Sequence, residues 1–146
     1  RAMPGGACLI VGPESATPDG FRRACELENE SKQRVQDIGA VHMYSWGPFP
    51  QNSWVRAGNY LSVWAKHAQG RMLWDTETDD EGTGKYIEFL RGMEQRYGDA
   101  VSAHFRFKAT RYLTNSSGKP TLTAEGVAMR AYLHDEYNAK RRAVRT

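Results

Sequence analysis

The sequence is poor in the residues that build metal centres and covalent cross-links. Its 146 residues include only two cysteines, Cys8 and Cys25, and four histidines. Two cysteines are too few for a structural zinc set, and no histidine pair has His-x-x-x-His or His-Glu-x-x-His spacing. We therefore predict no bound metal. The cysteine separation allows either one disulfide or two reduced thiols.

Long apolar runs and cofactor signatures are also missing. No stretch approaches the roughly 18 apolar residues that a membrane helix needs, so we predict a soluble protein without a membrane partner. The sequence has no Gly-x-Gly-x-x-Gly, no phosphate-binding loop of the P-loop type and no Gly-x-Ser-x-Gly. These absences argue against dinucleotide binding, P-loop chemistry and a hydrolase nucleophile elbow, and we predict no cofactor.

The acidic segment 75–82 fails as a calcium loop. An EF-hand loop that starts at Asp75 needs glycine at its sixth position and glutamate at its twelfth, but the sequence has Asp80 and Tyr86 there. We therefore expect a solvated acidic loop. A second interpretation is that this loop docks on the basic part of a neighbouring copy, which would make the protein a self-assembling homo-oligomer.

Composition and periodicity predict a helix-dominated α+β fold with a small antiparallel β element. Hydrophobic residues make up 40% of the chain and aromatic residues 11%, which argues against disorder. Glycine and proline mark residues 1–20 as an extended N-terminal arm, and we assign residues 21–146 to a single globular domain. Capping residues and apolar spacing predict helices over about 17–37, 54–68, 85–97 and 123–143.

A proline-containing loop at 45–53 carries two aromatic residues, Trp46 and Phe49. Two interpretations stay open for them. Either both rings fold back to cover the core, or they form a lip that contacts a ligand, since binding residues concentrate on loops.

The clearest positive feature is a break in charge near residue 103. Residues 1–103 carry a balance of −3, and residues 104–146 carry a balance of +6. Because the basic excess is local, it is the kind of surface that an anionic partner would bind.

The first part of this basic segment is His104-Phe105-Arg106-Phe107-Lys108. If it is a strand, His104, Arg106 and Lys108 share one face, because side chains alternate along a strand. An imidazole beside two cations suits phosphodiester cleavage, with His104 moving the proton. The alternatives are a solvent-exposed basic face without function and a face that binds nucleic acid without cleaving it.

The second part is the predicted C-terminal helix. Arg130, His134, Tyr137, Arg141 and Arg145 are spaced to form one stripe of a continuous α-helix. Such a row would meet phosphates along a backbone, and Tyr137 would stack on a base. Cations near a helix C-terminus also favour the helix dipole, so the stripe has a purely structural explanation as well.

One segment resembles a known family. It consists of Arg111-Tyr112-Leu113, a turn containing Gly118 and Lys119, and then Thr121-Leu122-Thr123-Ala124-Glu125-Gly126 before a helix. The segment is similar to the wing and last helix of winged helix-turn-helix proteins. The resemblance covers about 25 residues and implies DNA binding. It places a recognition helix around residues 99–110, whereas the alternation of Phe105 and Phe107 favours a strand.

The sequence therefore predicts a nucleic-acid-binding domain with a basic C-terminal surface. The residues assigned to that surface are Arg106, Lys108, Arg111, Lys119, Arg130, His134, Tyr137, Arg141 and Arg145. The alternatives are a small ribonuclease-like toxin domain with His104 as its catalytic residue, and the self-assembling structural protein. The chain starts at Arg1 rather than Met, so we expect a processed product or a domain cut from a longer polypeptide.

Overall fold

A computed structural model describes residues 10–12, 15–34, 36–78, 81–106, 112–114 and 118–139. The helices in these ranges are α1 (Pro18–Ser31), α2 (Gln51–His67), α3 (Thr83–Tyr97) and α4 (Ala124–Ala131). The strands are β1 (Ile38–Met43), β2 (Met72–Thr78), β3 (Ala103–Arg106), β4 (Leu113–Thr114) and β5 (Thr121–Leu122). Among the described residues, no helix is long and apolar enough to cross a bilayer.

The centre of the fold is a parallel sheet whose strands lie in chain order, β1, β2 and β3. Each strand is joined to the next by a helix, so the chain repeats a strand–helix unit. The described part of the N-terminal arm adds to this sheet, because Val11 and Ser15 form parallel bridges with Ile38 and Val41 of β1. The arm is therefore attached to the sheet edge at those two positions.

The hydrophobic core lies between one face of this sheet and helices α1 to α3. Phe21 of α1 is fully buried, with its ring centroid 5.6 Å from those of Tyr60 and Trp64 in α2. Helix α1 starts where Thr17 accepts a hydrogen bond from the backbone N–H of Gly20. This bond gives a partner to one of the first-turn N–H groups that have none within the helix. It ends at Ser31, earlier than the predicted residue 37.

The C-terminal part of the described chain forms a two-stranded antiparallel hairpin and a helix. Strands β4 and β5 pair, and Thr123 then caps α4 by accepting a hydrogen bond from Gly126. Helix α4 packs back on α3, where Thr83 donates a 2.7 Å hydrogen bond to Glu125. Residues Tyr132–Tyr137 continue as a wider π-helical turn.

The predicted fold class, helix-dominated α+β with a small antiparallel element, is confirmed by the four helices and the β4–β5 hairpin. The three-stranded parallel sheet was not predicted. In the segment that resembles a winged helix, the hairpin and the following helix form. Residues 103–106, where that resemblance places part of a recognition helix, form strand β3 instead.

Candidate active site beside His104

The strand register places two polar side chains together inside the fold. Asp75 of β2 and His104 of β3 are direct partners across the parallel pair, so both point toward the same face of the sheet. That face is the one covered by helices, because the His104 ring meets Phe89 of α3 edge-to-face at 5.6 Å between centroids. Two residues 29 positions apart thereby become neighbours in the core.

Asp75 orients His104 through a hydrogen bond. His104 Nδ1 lies 3.1 Å from Asp75 Oδ2, and the hydroxyl of Thr78 donates to the same oxygen. The Asp75 side chain is fully buried, whereas 17% of the His104 side chain is exposed. Burial raises the pKa of Asp75, and the hydrogen bonds from His104 and Thr78 oppose that shift. Because Nδ1 is committed to Asp75, Nε2 is the ring nitrogen left for a substrate.

His104 opens on a cavity of about 530 Å³ between β3, α3 and the C-terminal helix. That volume is in the range of small-molecule sites. The lining is mainly aromatic and aliphatic: Tyr86, Leu90, Ala103, His104, Phe105, Tyr112, Met129, Tyr132, Leu133 and Tyr137. Four tyrosines therefore line the same cavity as the imidazole: Tyr86 and Tyr132 are buried, and Tyr112 and Tyr137 are half-buried.

The cavity can hold a planar group next to a proton carrier. Burial raises the pKa of Tyr132 to about 12, so its hydroxyl stays protonated at neutral pH. A His held by a buried carboxylate through one nitrogen can accept or donate a proton through the other. The arrangement thus combines a stacking surface with general acid–base capacity.

One alternative for this segment, a solvated basic face, does not hold for His104, whose side chain is 17% exposed. Residues 103–106 form a strand, but its His104 face is turned to the core, and Phe105 on the opposite face is 46% exposed. The physical reason is that the buried carboxylate of Asp75 gives the imidazole a partner inside the protein, while Phe105 packs on Trp74 at the outer face of the sheet.

The other basic residues predicted near His104 cannot be placed as a group. Arg106 ends β3, but its side chain lies outside the described part of the structure. Lys108 and Arg111 lie outside the described residues, as do Arg141 and Arg145. Their membership of a basic surface stays a prediction.

The remaining predicted residues divide between two places. Lys119 is exposed in the turn between β4 and β5. Arg130 and His134 line a second, shallow groove of about 430 Å³ on α4, whereas Tyr137 lines the His104 cavity. Tyr137 lies at the end of the π-helical turn Tyr132–Tyr137, which has more residues per turn than an α-helix, so the side chains that share a face differ from those of a continuous α-helix.

The two concave surfaces are neighbours. The groove on α4 and the His104 cavity share Tyr112, Met129 and Leu133 in their walls. Helix α4 therefore folds back beside His104, with its apolar side facing the imidazole and Arg130 on the adjoining groove. A ligand that filled the cavity and extended along the groove would pass from His104 to Arg130.

Sequence reasoning missed Asp75 and the tyrosines of the cavity. Asp75 was assigned to the acidic loop, although it lies inside β2 and is completely buried. The apolar stretch before it continues the strand, and that continuity was the one local signal available. Nothing local pairs Asp75 with His104, because their contact depends on the register between two strands.

No family model, no curated protein and no solved structure matches this chain. The case for a function therefore depends on the geometry of its own residues.

Proposed function

We propose that this protein is a phosphodiesterase that cleaves single-stranded RNA, with His104 as the proton carrier. The observation that supports the proposal most is the Asp75–His104 hydrogen bond at the wall of a 530 Å³ cavity. Catalytic histidines are commonly held in this way, by a buried carboxylate that fixes the tautomer and steadies the imidazolium.

The tyrosines of the cavity favour a nucleobase as the group that it holds. Unpaired bases stack on aromatic side chains, and each stacked base contributes about 1–3 kcal/mol. Tyr112 and Tyr137, which are half-buried, provide such surfaces within the walls that His104 also lines, whereas Tyr86 and Tyr132 are buried in the core beside it. Arg130 on the adjoining groove is exposed and carries a charge suited to a backbone phosphate.

RNA suits this cavity better than DNA because RNA carries its own nucleophile. In the proposed step, Nε2 of His104 takes the proton of the ribose 2′-hydroxyl, and the 2′-oxygen attacks the adjacent phosphorus. The new O–P bond forms as the bond to the 5′-oxygen breaks, and that leaving oxygen takes a proton from water. The products are a 2′,3′-cyclic phosphate and a 5′-hydroxyl end.

The proposal is tested by incubating the protein with a labelled single-stranded RNA and with DNA of the same sequence. We expect cleavage of the RNA only, with cyclic phosphate ends visible by mass spectrometry. His104→Ala should lower the rate by about 10²–10⁴-fold, the usual contribution of a general base. His67→Ala on α2 is the matched control, because His67 forms a hydrogen bond with Asn29 of α1 and does not line this cavity. A His104→Ala rate equal to that of the wild type would contradict the proposal.

A second candidate function is nucleic-acid binding without cleavage. It is favoured by the exposure of Lys119 and Arg130 and by the +6 balance of residues 104–146. Replacing Arg130, Arg141 and Arg145 by glutamine should weaken binding and flatten its salt dependence, because fewer counterions are released. The control removes three charges from the other end of the chain: Arg22→Gln, Arg23→Gln and Lys32→Gln. Equal losses in both triple variants would contradict a localised basic surface.

A further inference from the structure

A third concave surface lies at the carboxyl edge of the parallel sheet, and we infer that it binds a neutral oligosaccharide. In open sheets of parallel strands, ligands bind in the crevice beyond the carboxyl ends of the strands. Here a cavity of about 430 Å³ lies at that edge, lined by Tyr44, Ser45, Trp46, Gly47 and Glu81. The first four follow β1 and Glu81 follows β2, so two neighbouring strand–helix loops form its walls.

Trp46 is the recognition surface of this cavity. Its side chain is 73% exposed, which is unusual for the largest apolar residue, and its backbone holds a left-handed conformation with φ of 47°. Phe49 in the same loop is buried in the core. The sequence left two interpretations open for these rings, and each applies to one of them. Phe49 packs in the core, and Trp46 stays at the surface.

Contacts behind the cavity hold its two aromatic rings. The Arg56 guanidinium from α2 lies 5.6 Å from the centroid of the Trp46 ring. Tyr44 meets the His42 ring edge-to-face at 5.8 Å, and His42 Nδ1 lies 3.3 Å from Glu77 on β2. An aromatic ring that already contacts a neighbouring side chain loses less entropy when a ligand stacks on it, so these contacts favour binding.

The charge of this edge separates it from the proposed RNA site. Glu81 forms a 2.6 Å ion pair with Lys85, and Glu77 lies 3.3 Å from His42, so this edge offers paired charges rather than the basic excess that a polyanion binds. A sugar ring has an apolar face that packs on an indole and hydroxyl groups that donate hydrogen bonds to a carboxylate. A neutral oligosaccharide therefore satisfies both the exposed Trp46 and the adjacent Glu81.

The test is isothermal titration calorimetry with four neutral hexasaccharides: cellohexaose, xylohexaose, mannohexaose and chitohexaose. We expect saturable binding of at least one of them. Trp46→Ala should weaken that binding by about tenfold or more, since it removes the stacking surface. Glu81→Gln should weaken it less, because the amide keeps one acceptor. Leu27→Ala on α1, also at an exposed apolar position, is the matched control.

The outcomes distinguish this site from the RNA site. The inference would be overturned if none of the four saccharides gave a measurable heat of binding, or if the wild type and Trp46→Ala bound with equal affinity. RNA binding that Trp46→Ala abolishes would also overturn it, because the platform would then serve the polyanion. Circular dichroism of Trp46→Ala should match the wild type, since most of this side chain is in solvent.

Discussion

Arg71 and Glu28 form a buried ion pair whose loss should be among the most destabilising changes in the protein. Arg71 Nη1 lies 2.7 Å from Glu28 Oε1, and only 7% of each side chain is exposed. The guanidinium also donates to three backbone carbonyls, those of Gln36, His67 and Ala68. It thereby ties α1, the end of α2 and the start of β2 together, and the ring of Trp64 packs on it.

Replacing Arg71 by methionine keeps an unbranched apolar stem but removes the charge and all of these donors. Glu28 is then left as a buried carboxylate without its cation, and breaking a buried pair in this way costs about 3–5 kcal/mol. Domains of this size have total stabilities of about 5–15 kcal/mol, so the loss is a large share of the total.

The assay is urea unfolding followed by circular dichroism, with the free energy of unfolding taken by linear extrapolation. Arg22→Met is the matched control, because Arg22 and Glu26 pair on the exposed face of α1 and such pairs contribute below about 1 kcal/mol. The double variant Glu28→Met with Arg71→Met should lose less than the sum of the two single variants. A loss below about 1 kcal/mol in Arg71→Met would refute the reasoning.

Three further predictions concern the core. Burial raises the pKa of Cys25 to about 11, so iodoacetamide at pH 8 should alkylate it only after unfolding, and peptide mass spectrometry that finds native alkylation would contradict this. Burial raises the pKa of Tyr60 to about 12, so stability should fall as the pH rises from 10 toward 12, and Tyr60→Phe should remove that part of the decline. A Cβ at Gly92 would clash with the Trp54 ring, so Gly92→Ala should cost about 1–3 kcal/mol in thermal unfolding, whereas Gly84→Ala on the same helix has open space and should cost nothing.

The helix boundaries were predictable where a local signal exists. Helix α1 begins at Thr17-Pro18 and α4 just after Thr123, and α3 ends just before Gly98, so each of these boundaries has a residue that favours it. These residues act through their own backbone geometry or through a hydroxyl that reaches the first turn, so their effect is visible within a few positions. The end of α1 was placed too late, because no glycine or proline marks Lys32, which takes the left-handed conformation instead.

The parallel sheet and the candidate site were not predictable from local pattern. Buried parallel strands lack the alternation that reveals a half-exposed strand, and carboxylates are rarely found fully buried, so Asp75 was assigned to solvent. The role of its partner His104 as a proton carrier stays a prediction, and the sequence did not predict that this ring packs on Phe89 in the core. Only the register between β2 and β3 places the two side chains together.

The most direct test of the proposed function is chemical rescue of His104→Ala. Removing the ring leaves space beside Asp75 that free imidazole can enter, and imidazole can then carry the proton in place of the side chain. We predict that RNA cleavage by His104→Ala is restored in part by added imidazole, saturably, and with the same product ends as the wild type. Cleavage by His104→Ala at the wild-type rate without imidazole, or a folded variant that imidazole fails to rescue, would contradict the account.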